Sequence, residues 1–166
     1  KTSMSNSIYF TQYKNELDME QATIGLRVFS SVQDFGFANS VNYLVEETSF
    51  ESGLQYVYHN LQPQKIQIEN LSTTNNTIEN TLIRANEFAV FTNAKPKLLD
   101  NLIAEVGLRI NYYNSGLQSY LHFQPRAVLN YYRNKNLSFY TSYNRQTQYL
   151  NLITTSSVGI TTDFWI

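Results

Sequence analysis

The 166-residue chain contains no cysteine, only 6 glycines and 3 prolines, and only 15% charged residues. A soluble domain typically holds about 25% charged residues. The missing cysteines exclude a disulfide scaffold and thiolate metal sites. A formal net charge of -1 provides no basic field, so we expect no nucleic-acid partner. No apolar run approaches the roughly 18–20 residues of a transmembrane helix.

Uncharged polar residues and aromatic residues fill the chain instead. Serine, threonine, asparagine and glutamine together number 60, and tyrosine and phenylalanine add 23. The stretch 136–152, NLSFYTSYNRQTQYLNL, shows how they are arranged. One alternating row holds Leu137, Phe139, Thr141 and Tyr143, and the other holds Ser138, Tyr140, Ser142, Asn144, Gln146 and Gln148. This period of two predicts a strand with one apolar face and one wet face that carries amides and hydroxyls.

The same reading along the chain predicts an all-β protein. We expect seven long strands, at 3–14, 24–45, 49–62, 78–95, 98–113, 116–133 and 136–150. Helical spacing occurs at 96–106 as an alternative, but the alternation that follows Gly107 favours a strand there. Short connections are expected at 46–48, 95–98 and 134–136, and long or loose ones at 15–23, 63–77, 111–116 and 150–163. Tight turns and long loops that alternate in this way are typical of up-and-down outer-membrane barrels.

Each predicted strand divides into an apolar row and a polar row. In 98–113 the apolar row runs unbroken from Leu102 to Tyr112, and the other row includes Glu105 and Arg109. Apolar rows recur as Leu117, Leu121, Phe123, Pro125, Ala127, Leu129 and Tyr131, as Phe35, Phe37, Val41 and Tyr43, and as Phe50, Leu54, Tyr56 and Tyr58. These rows are long enough for a spanning strand of about 9–11 residues.

A soluble sandwich or lipocalin-like barrel is the alternative, with the apolar rows turned inward. Pro125 argues against it, because proline is excluded from central strands of such cores. Sparse charge on both faces argues against it as well, since a soluble surface needs charge. We therefore expect an antiparallel transmembrane β-barrel, with lipid on one face of each strand and water or a plug on the other.

Two stretches resemble a known family. SVQDFGFANSVNYLVEETSFESGLQYVYHNLQP at 31–63 resembles the barrel of TonB-dependent outer-membrane receptors from Gram-negative bacteria, in which Tyr56, His59 and Pro63 match a Tyr-x-x-His-x-x-x-Pro pattern. The stretch 124–166 is similar to the family's run of Pro-Arg, Asn-Leu-Ser, Ser-Tyr-x-Arg, Gln-Tyr-Leu and a closing Thr-Asp-aromatic-Trp segment.

The resemblance implies that residues 1–166 are part of a 22-stranded barrel, without a separate second domain, in the cell outer membrane. It implies import of a scarce nutrient such as a siderophore, vitamin, oligosaccharide or peptide. The implied partners are outer-membrane lipid, the rest of the barrel and its plug, the TonB complex through that plug, and a surface lipoprotein. The alternative is a complete 8-stranded barrel with a structural or adhesive role, closed by residues 156–166 as its eighth strand; the resemblance instead places those residues in an outer loop.

Polar-row side chains are the candidate contacts with a plug or a substrate, and pairing between strands is their alternative role. These candidates are Asp34, Glu51, Gln55, Glu105, Arg109, His122, Gln124 and Arg126. His59 and His122 lack the spacing of a metal motif, so we predict neither a metal site nor a cofactor. We expect no enzyme activity, because the sequence contains no nucleophile elbow, phosphate loop or placed carboxylate pair.

Two further clusters leave alternatives open. The acidic residues Glu16, Asp18 and Glu20 are a weak cation site or an ordinary solvated loop. Tyr112, Tyr113 and Tyr120 either stack a sugar or an aromatic chelator, or anchor the chain at the membrane interface.

Overall fold

The computed structural model describes residues 2–21, 24–70, 73–76, 82–157 and 160–165. Within these ranges every helix or strand is a β-strand. The strands are β1 (Thr2–Gln21), β2 (Ile24–Val45), β3 (Thr48–Asn70), β4 (Thr73–Asn76), β5 (Ile83–Lys95), β6 (Lys97–Leu99), β7 (Leu102–Asn114), β8 (Ser119–Asn134), β9 (Leu137–Asn144), β10 (Leu152–Ser157) and β11 (Ile160–Trp165).

The main sheet follows a meander. Its path is β1-β2-β3-β5-β7-β8-β9, while the short strands β4 and β6 pair with β3 and β7. The ladders of β5 with β7, β7 with β8 and β8 with β9 are all antiparallel. The predicted all-β, antiparallel fold with seven long strands is thus confirmed for the described residues.

Two predicted loops are strands in the structure. The loop expected at 15–23 is wrong because β1 continues to Gln21, and the loop expected at 63–77 is wrong because β3 continues to Asn70. β4 then pairs back on β3, with Ile68 opposite Asn76. Polar side chains at these positions mark the paired ends of long hairpins rather than irregular loops. Residues 22–23, 71–72 and 77–81, including the predicted start of the strand at 78–95, lie outside the described residues.

The connection between β5 and β7 differs from the prediction. The short turn expected at 95–98 lies at 100–101, between β6 and β7. The helical alternative at 96–106 is wrong, because Leu102 already pairs with Tyr131 in the ladder between β7 and β8. Lys97 Nζ lies 2.9 Å from Asp100 Oδ1 in this turn. That hydrogen bond lowers the pKa of the Asp100 carboxyl.

Two connections and one strand end later in the chain also differ from the prediction. The loose connection expected at 111–116 is a short turn at 115–118, and the strand expected at 136–150 ends at Asn144. The loose segment expected at 150–163 is mostly a hairpin, in which β10 pairs with β11 in a separate two-stranded sheet. β11 therefore does not extend the seven-strand path within the described residues, and β1 and β9 are the end strands of that path.

The chain folds into two compact units. Unit 1 consists of Lys1–Tyr9, Gly36–Val57 and Asn86–Thr147. Unit 2 consists of Phe10–Phe35, Tyr58–Ala85 and Gln148–Ile166. Each of the long strands β1, β2 and β3 contributes one part to each unit.

In unit 1 the exposure pattern is the reverse of that of a soluble sheet. Val106 and Phe123 on the apolar rows are 47% and 52% exposed, whereas Asn93, Asn111 and Gln124 on the polar rows are only 3–7% exposed. The ladders align the apolar rows across strands, since Val90 lies opposite Ile110 and Ile110 opposite Phe123. The apolar face of unit 1 is therefore the uncovered one.

Glycines let large side chains lie against the backbone on the polar face. A Cβ atom at Gly36 would overlap the ring of Tyr9, and one at Gly53 would lie 2.7 Å from Phe91 Cζ. Gly107 similarly lies under the side chain of Arg126. The side chains of neighbouring strands thereby fit into each other on this face.

Unit 2 has a small core of its own. Its buried apolar residues are Val28, Val32, Leu61 and Ala85, of which Leu61 is 2% exposed. The buried polar residues Ser30 and His59 lie among them in β2 and β3. Phe10 and Phe35 instead lie against each other with ring centroids 4.7 Å apart while each remains more than half exposed.

Adjacent residues of β5 test these two environments. Ala89 is 1% exposed on the polar face and lies opposite Asn111, whereas Val90 is 39% exposed on the apolar face. We expect Ala89→Leu to lower the free energy of unfolding by about 1–3 kcal/mol through overpacking. Val90→Leu should change it by less than about 0.5 kcal/mol. Denaturant unfolding of the full-length protein in detergent measures both, and equal losses would contradict the assignment of faces.

Candidate functional site

The polar face of unit 1 carries a set of polar and charged side chains, some of them hydrogen-bonded to each other, which we call the polar surface. Its members come from five different strands and point to the same side of the sheet. They are Tyr9, Glu51, Gln55, Glu87, Asn93, Arg109, Asn111, Gln124 and Arg126.

Arg109 is the centre of the largest network. Its Nη2 donates to Gln55 Oε1 at 2.8 Å, and its Nε donates to Asn111 Oδ1 at 2.8 Å. Asn111 Nδ2 donates in turn to Glu87 Oε1 at 3.0 Å, which also lies 4.0 Å from Arg109 Nη2. Gln55 Nε2 donates to the Tyr9 hydroxyl at 3.3 Å. One guanidinium thereby links side chains of β1, β3, β5 and β7.

A groove lies beside this network. It has a volume of about 270 Å³, and its polar lining includes Glu51, Asn93, Arg109, Gln124, Arg126 and Arg145. Asn93 Nδ2 donates to Glu51 Oε2 at 3.2 Å. The Nε2 atom of Gln124 is buried and has no hydrogen-bond partner among the described residues. Arginine and amide donors therefore outnumber carboxylate acceptors along this lining.

Gln55 belongs to the Arg109 network but does not line the groove, and three further predicted site residues lie away from both. Glu105 Oε2 forms an ion pair with Lys95 Nζ at 3.0 Å. His122 lies opposite Asn111 and stacks on Tyr120 with ring centroids 6.2 Å apart. Asp34 belongs to unit 2, where its Oδ1 lies 2.8 Å from His59 Nδ1 and its Oδ2 accepts from Thr11 at 3.4 Å.

The two histidines lie in different side-chain contacts. His59 Nδ1 lies 2.8 Å from Asp34 Oδ1, and His122 stacks on Tyr120. In the part of the chain that the structure describes, no three His, Asp or Glu side chains are grouped to hold a metal ion.

The acidic cluster is a cross-strand contact rather than a loop. Glu16 and Asp18 lie within β1, so the predicted solvated loop is wrong. Arg27 of β2 donates from Nε and Nη2 to the two Asp18 carboxylate oxygens, at 2.7 and 3.2 Å. Arg27 Nε also lies 3.6 Å from Glu16 Oε1. This pairing joins β1 to β2 beyond residue 14, where β1 was predicted to end.

The tyrosine cluster is divided between two faces. Tyr112 is 43% exposed on the apolar face, whereas Tyr113 is 6% exposed on the polar face. Tyr113 stacks with Tyr120, with ring centroids 6.4 Å apart. The three rings therefore do not form one stacking platform.

The sequence prediction missed four members of the polar surface, Tyr9, Glu87, Asn93 and Asn111. All four lie on the same face as Arg109, and Glu87 and Asn93 share one alternating row of β5. Alternation alone places them on a polar or mixed row, but their partners depend on the register between strands. That register aligns Phe91 with Arg109 and Asn93 with Gly107.

Within the described ranges, no helix is long and apolar enough to cross a membrane. Comparison with models of known protein families gives no match, and comparisons with curated proteins and with solved structures give none either.

Replacement of the central arginine tests the network. Arg109→Ala leaves Gln55, Asn111 and Glu87 without their shared donor, so we expect a loss of about 1–3 kcal/mol in the free energy of unfolding. The control is Arg133→Ala, at an exposed position near the end of β8, which should cost less than about 0.5 kcal/mol. Denaturant titration compares the two variants, and an equally small effect of both would mean that the network is not formed.

Proposed function

We propose that the chain forms part of the barrel wall of a TonB-dependent outer-membrane receptor that imports a scarce nutrient. The observation that carries this proposal is the reversed exposure of unit 1, with apolar rows uncovered and polar side chains buried. We assign the chain to the cell outer membrane and give it a transport role rather than a catalytic one.

The uncovered apolar rows favour lipid as the surrounding medium. Aligned positions such as Leu108 with Pro125 and Val106 with Ala127 continue the apolar surface from β7 to β8. Large contiguous apolar patches are rare on monomeric soluble proteins because they promote association. The apolar row of β7 extends from Leu102 to Tyr112, which matches the roughly 9–11 residues of a spanning strand.

The backbone of the sheet also suits hydrocarbon. A spanning segment must satisfy its backbone N–H and C=O groups within the protein, because the bilayer core offers no water to bond them. The ladder between β7 and β8 is continuous from Leu102 opposite Tyr131 to Asn114 opposite Ser119. Pro125 supplies no N–H to that ladder, but its carbonyl accepts from the Arg145 backbone N–H at 3.2 Å.

Exposed aromatic side chains favour the same placement. Tyr112 and Tyr131 lie towards opposite ends of their apolar rows, and Tyr131 stacks with Phe139 at 6.4 Å between ring centroids. Tyrosine is enriched at both membrane interfaces, where an apolar ring with a polar end is best solvated.

The assignment to a larger barrel draws on the end strands and on the residue pattern. Among the described residues β1 and β9 end the seven-strand path, so further strands beside them would remove the exposed edges. An 8-stranded closure would need a strand between β9 and β1, whereas β11 pairs with β10. The stretches 31–63 and 124–166 resemble TonB-dependent receptors, and a plug, the TonB complex and a surface lipoprotein enter the proposal through that resemblance alone.

Neighbouring residues of β8 test the lipid contact directly. Leu129 lies on the apolar row opposite Ala104, whereas Asn130 lies on the other face opposite Ile103. A spin label at position 129 should be reached by oxygen, which partitions into lipid, and one at 130 should be reached more by a water-soluble nickel reagent. Accessibility is measured in the full-length protein in lipid vesicles. Protection of position 129 from both reagents would indicate a packed protein interior and contradict the proposal.

The two ends of β8 test the orientation. Leu117 is 94% exposed in the turn before β8, and Lys135 is exposed in the turn after it. If the second turn faces the periplasm, Leu117→Cys should react with an impermeant thiol reagent on intact cells. Lys135→Cys should react only after permeabilisation. The reverse result would invert the orientation, and equal labelling of both in intact cells would contradict a spanning β8.

A further inference from the structure

The groove of the polar surface contains donors that the described part of the chain does not use. Gln124 is 7% exposed, and its Nε2 atom is buried without a hydrogen-bond partner among the described residues. A buried donor without an acceptor destabilises the folded protein. An acceptor from a bound molecule would remove that penalty.

Two arginines beside Gln124 also have unused guanidinium groups. Arg126 of β8 and Arg145, just after β9, line the groove, and neither side chain is in an ion pair with any described residue. Arg109 differs, because Gln55, Asn111 and Glu87 already surround its guanidinium. The groove therefore combines two cations with the buried amide donor of Gln124.

The remaining polar lining does not neutralise these cations. Glu51 is the one carboxylate that lines the groove among the described residues, and its Oε2 already accepts from Asn93. Guanidinium groups form their strongest hydrogen bonds with carboxylate and phosphate oxygens, often two at a time. The volume of about 270 Å³ suits a single small molecule rather than a folded segment.

We propose that the groove binds a small solute through an oxyanion group, a carboxylate or a phosphate, which accepts hydrogen bonds from Arg126, Arg145 and Gln124. Phe91 lines the same groove and offers an apolar surface to the carbon skeleton of that solute. The inference rests on the proposed function in one respect, which is that the groove lies on the water-filled side of the barrel wall. The donors and their geometry do not depend on that placement.

Titration of the full-length protein in detergent micelles tests this binding. Citrate and inorganic phosphate are the two anionic probes, and comparison of their affinities shows whether the groove prefers a carboxylate or a phosphate. Glucose is the uncharged control. We expect saturable heat with at least one anion and none with glucose. The affinity should fall as salt is raised from about 0.05 to 0.5 M, because the contact is between partly exposed charges.

Single substitutions then locate the site. Arg126→Gln and Arg145→Gln should each weaken binding of the preferred anion about tenfold, since each removes a charge-assisted contact. Arg133→Gln removes one positive charge from the same strand outside the groove and should change the affinity by less than about twofold. Gln124→Leu fills the space of the amide without its donor and should also weaken binding.

Several results would overturn the inference. One is the absence of saturable binding of either anion, and another is an equal effect of Arg126→Gln and Arg133→Gln on the affinity. The third is an unchanged affinity in Gln124→Leu together with increased stability, because the unpaired amide would then be a purely structural feature. Unfolding midpoints of all variants confirm that the compared proteins are folded. The spin-label result at positions 129 and 130 is independent of anion binding, so failure of the groove and failure of the membrane assignment are distinguishable.

Discussion

The antiparallel ladder that joins β7 to β5 and β8 is the interaction on which the other features depend. Each residue of β7 from Val106 to Asn114 has a partner on both sides, so its register is held from two directions. A shift of one residue would turn every side chain of the strand to the opposite face. The register of the ladder therefore places Leu108 on the apolar face and Arg109 in the polar network.

The polar network has a structural consequence and a chemical one. Arg109 is bonded to side chains of neighbouring strands, so the sheet at that point is held together by side-chain contacts as well as by its ladders. Gln124 Nε2 on the next strand has no hydrogen-bond partner among the described residues, and Arg126 lines the same groove. Satisfied polar networks rigidify a structure. The same face thus combines the bonded groups around Arg109 with the groove that we propose binds an anion.

The length of the first three strands adds a second architectural feature. β1, β2 and β3 contain 20, 22 and 23 residues, about twice what a bilayer-spanning strand needs. Arg27 with Asp18 and Glu16 holds the hairpin of β1 and β2 together near its end. In a membrane setting such paired extensions would stand outside the bilayer and present a defined surface where irregular loops had been expected.

Alternation in the amino-acid sequence was sufficient to determine the all-β class, the seven long strands and the two faces of each, because a period of two is a local property of the chain. It located β2 at 24–45 to the residue, but it mistook the polar ends of β1 and β3 for loops, because pairing between strands overrides local polarity there. The candidates Gln55, Arg109, Gln124 and Arg126 followed from their rows. Only the tertiary structure decided that Arg109 is bonded to Gln55 and Asn111 while Gln124 Nε2 has no partner among the described residues, because that distinction depends on the register between strands distant in sequence.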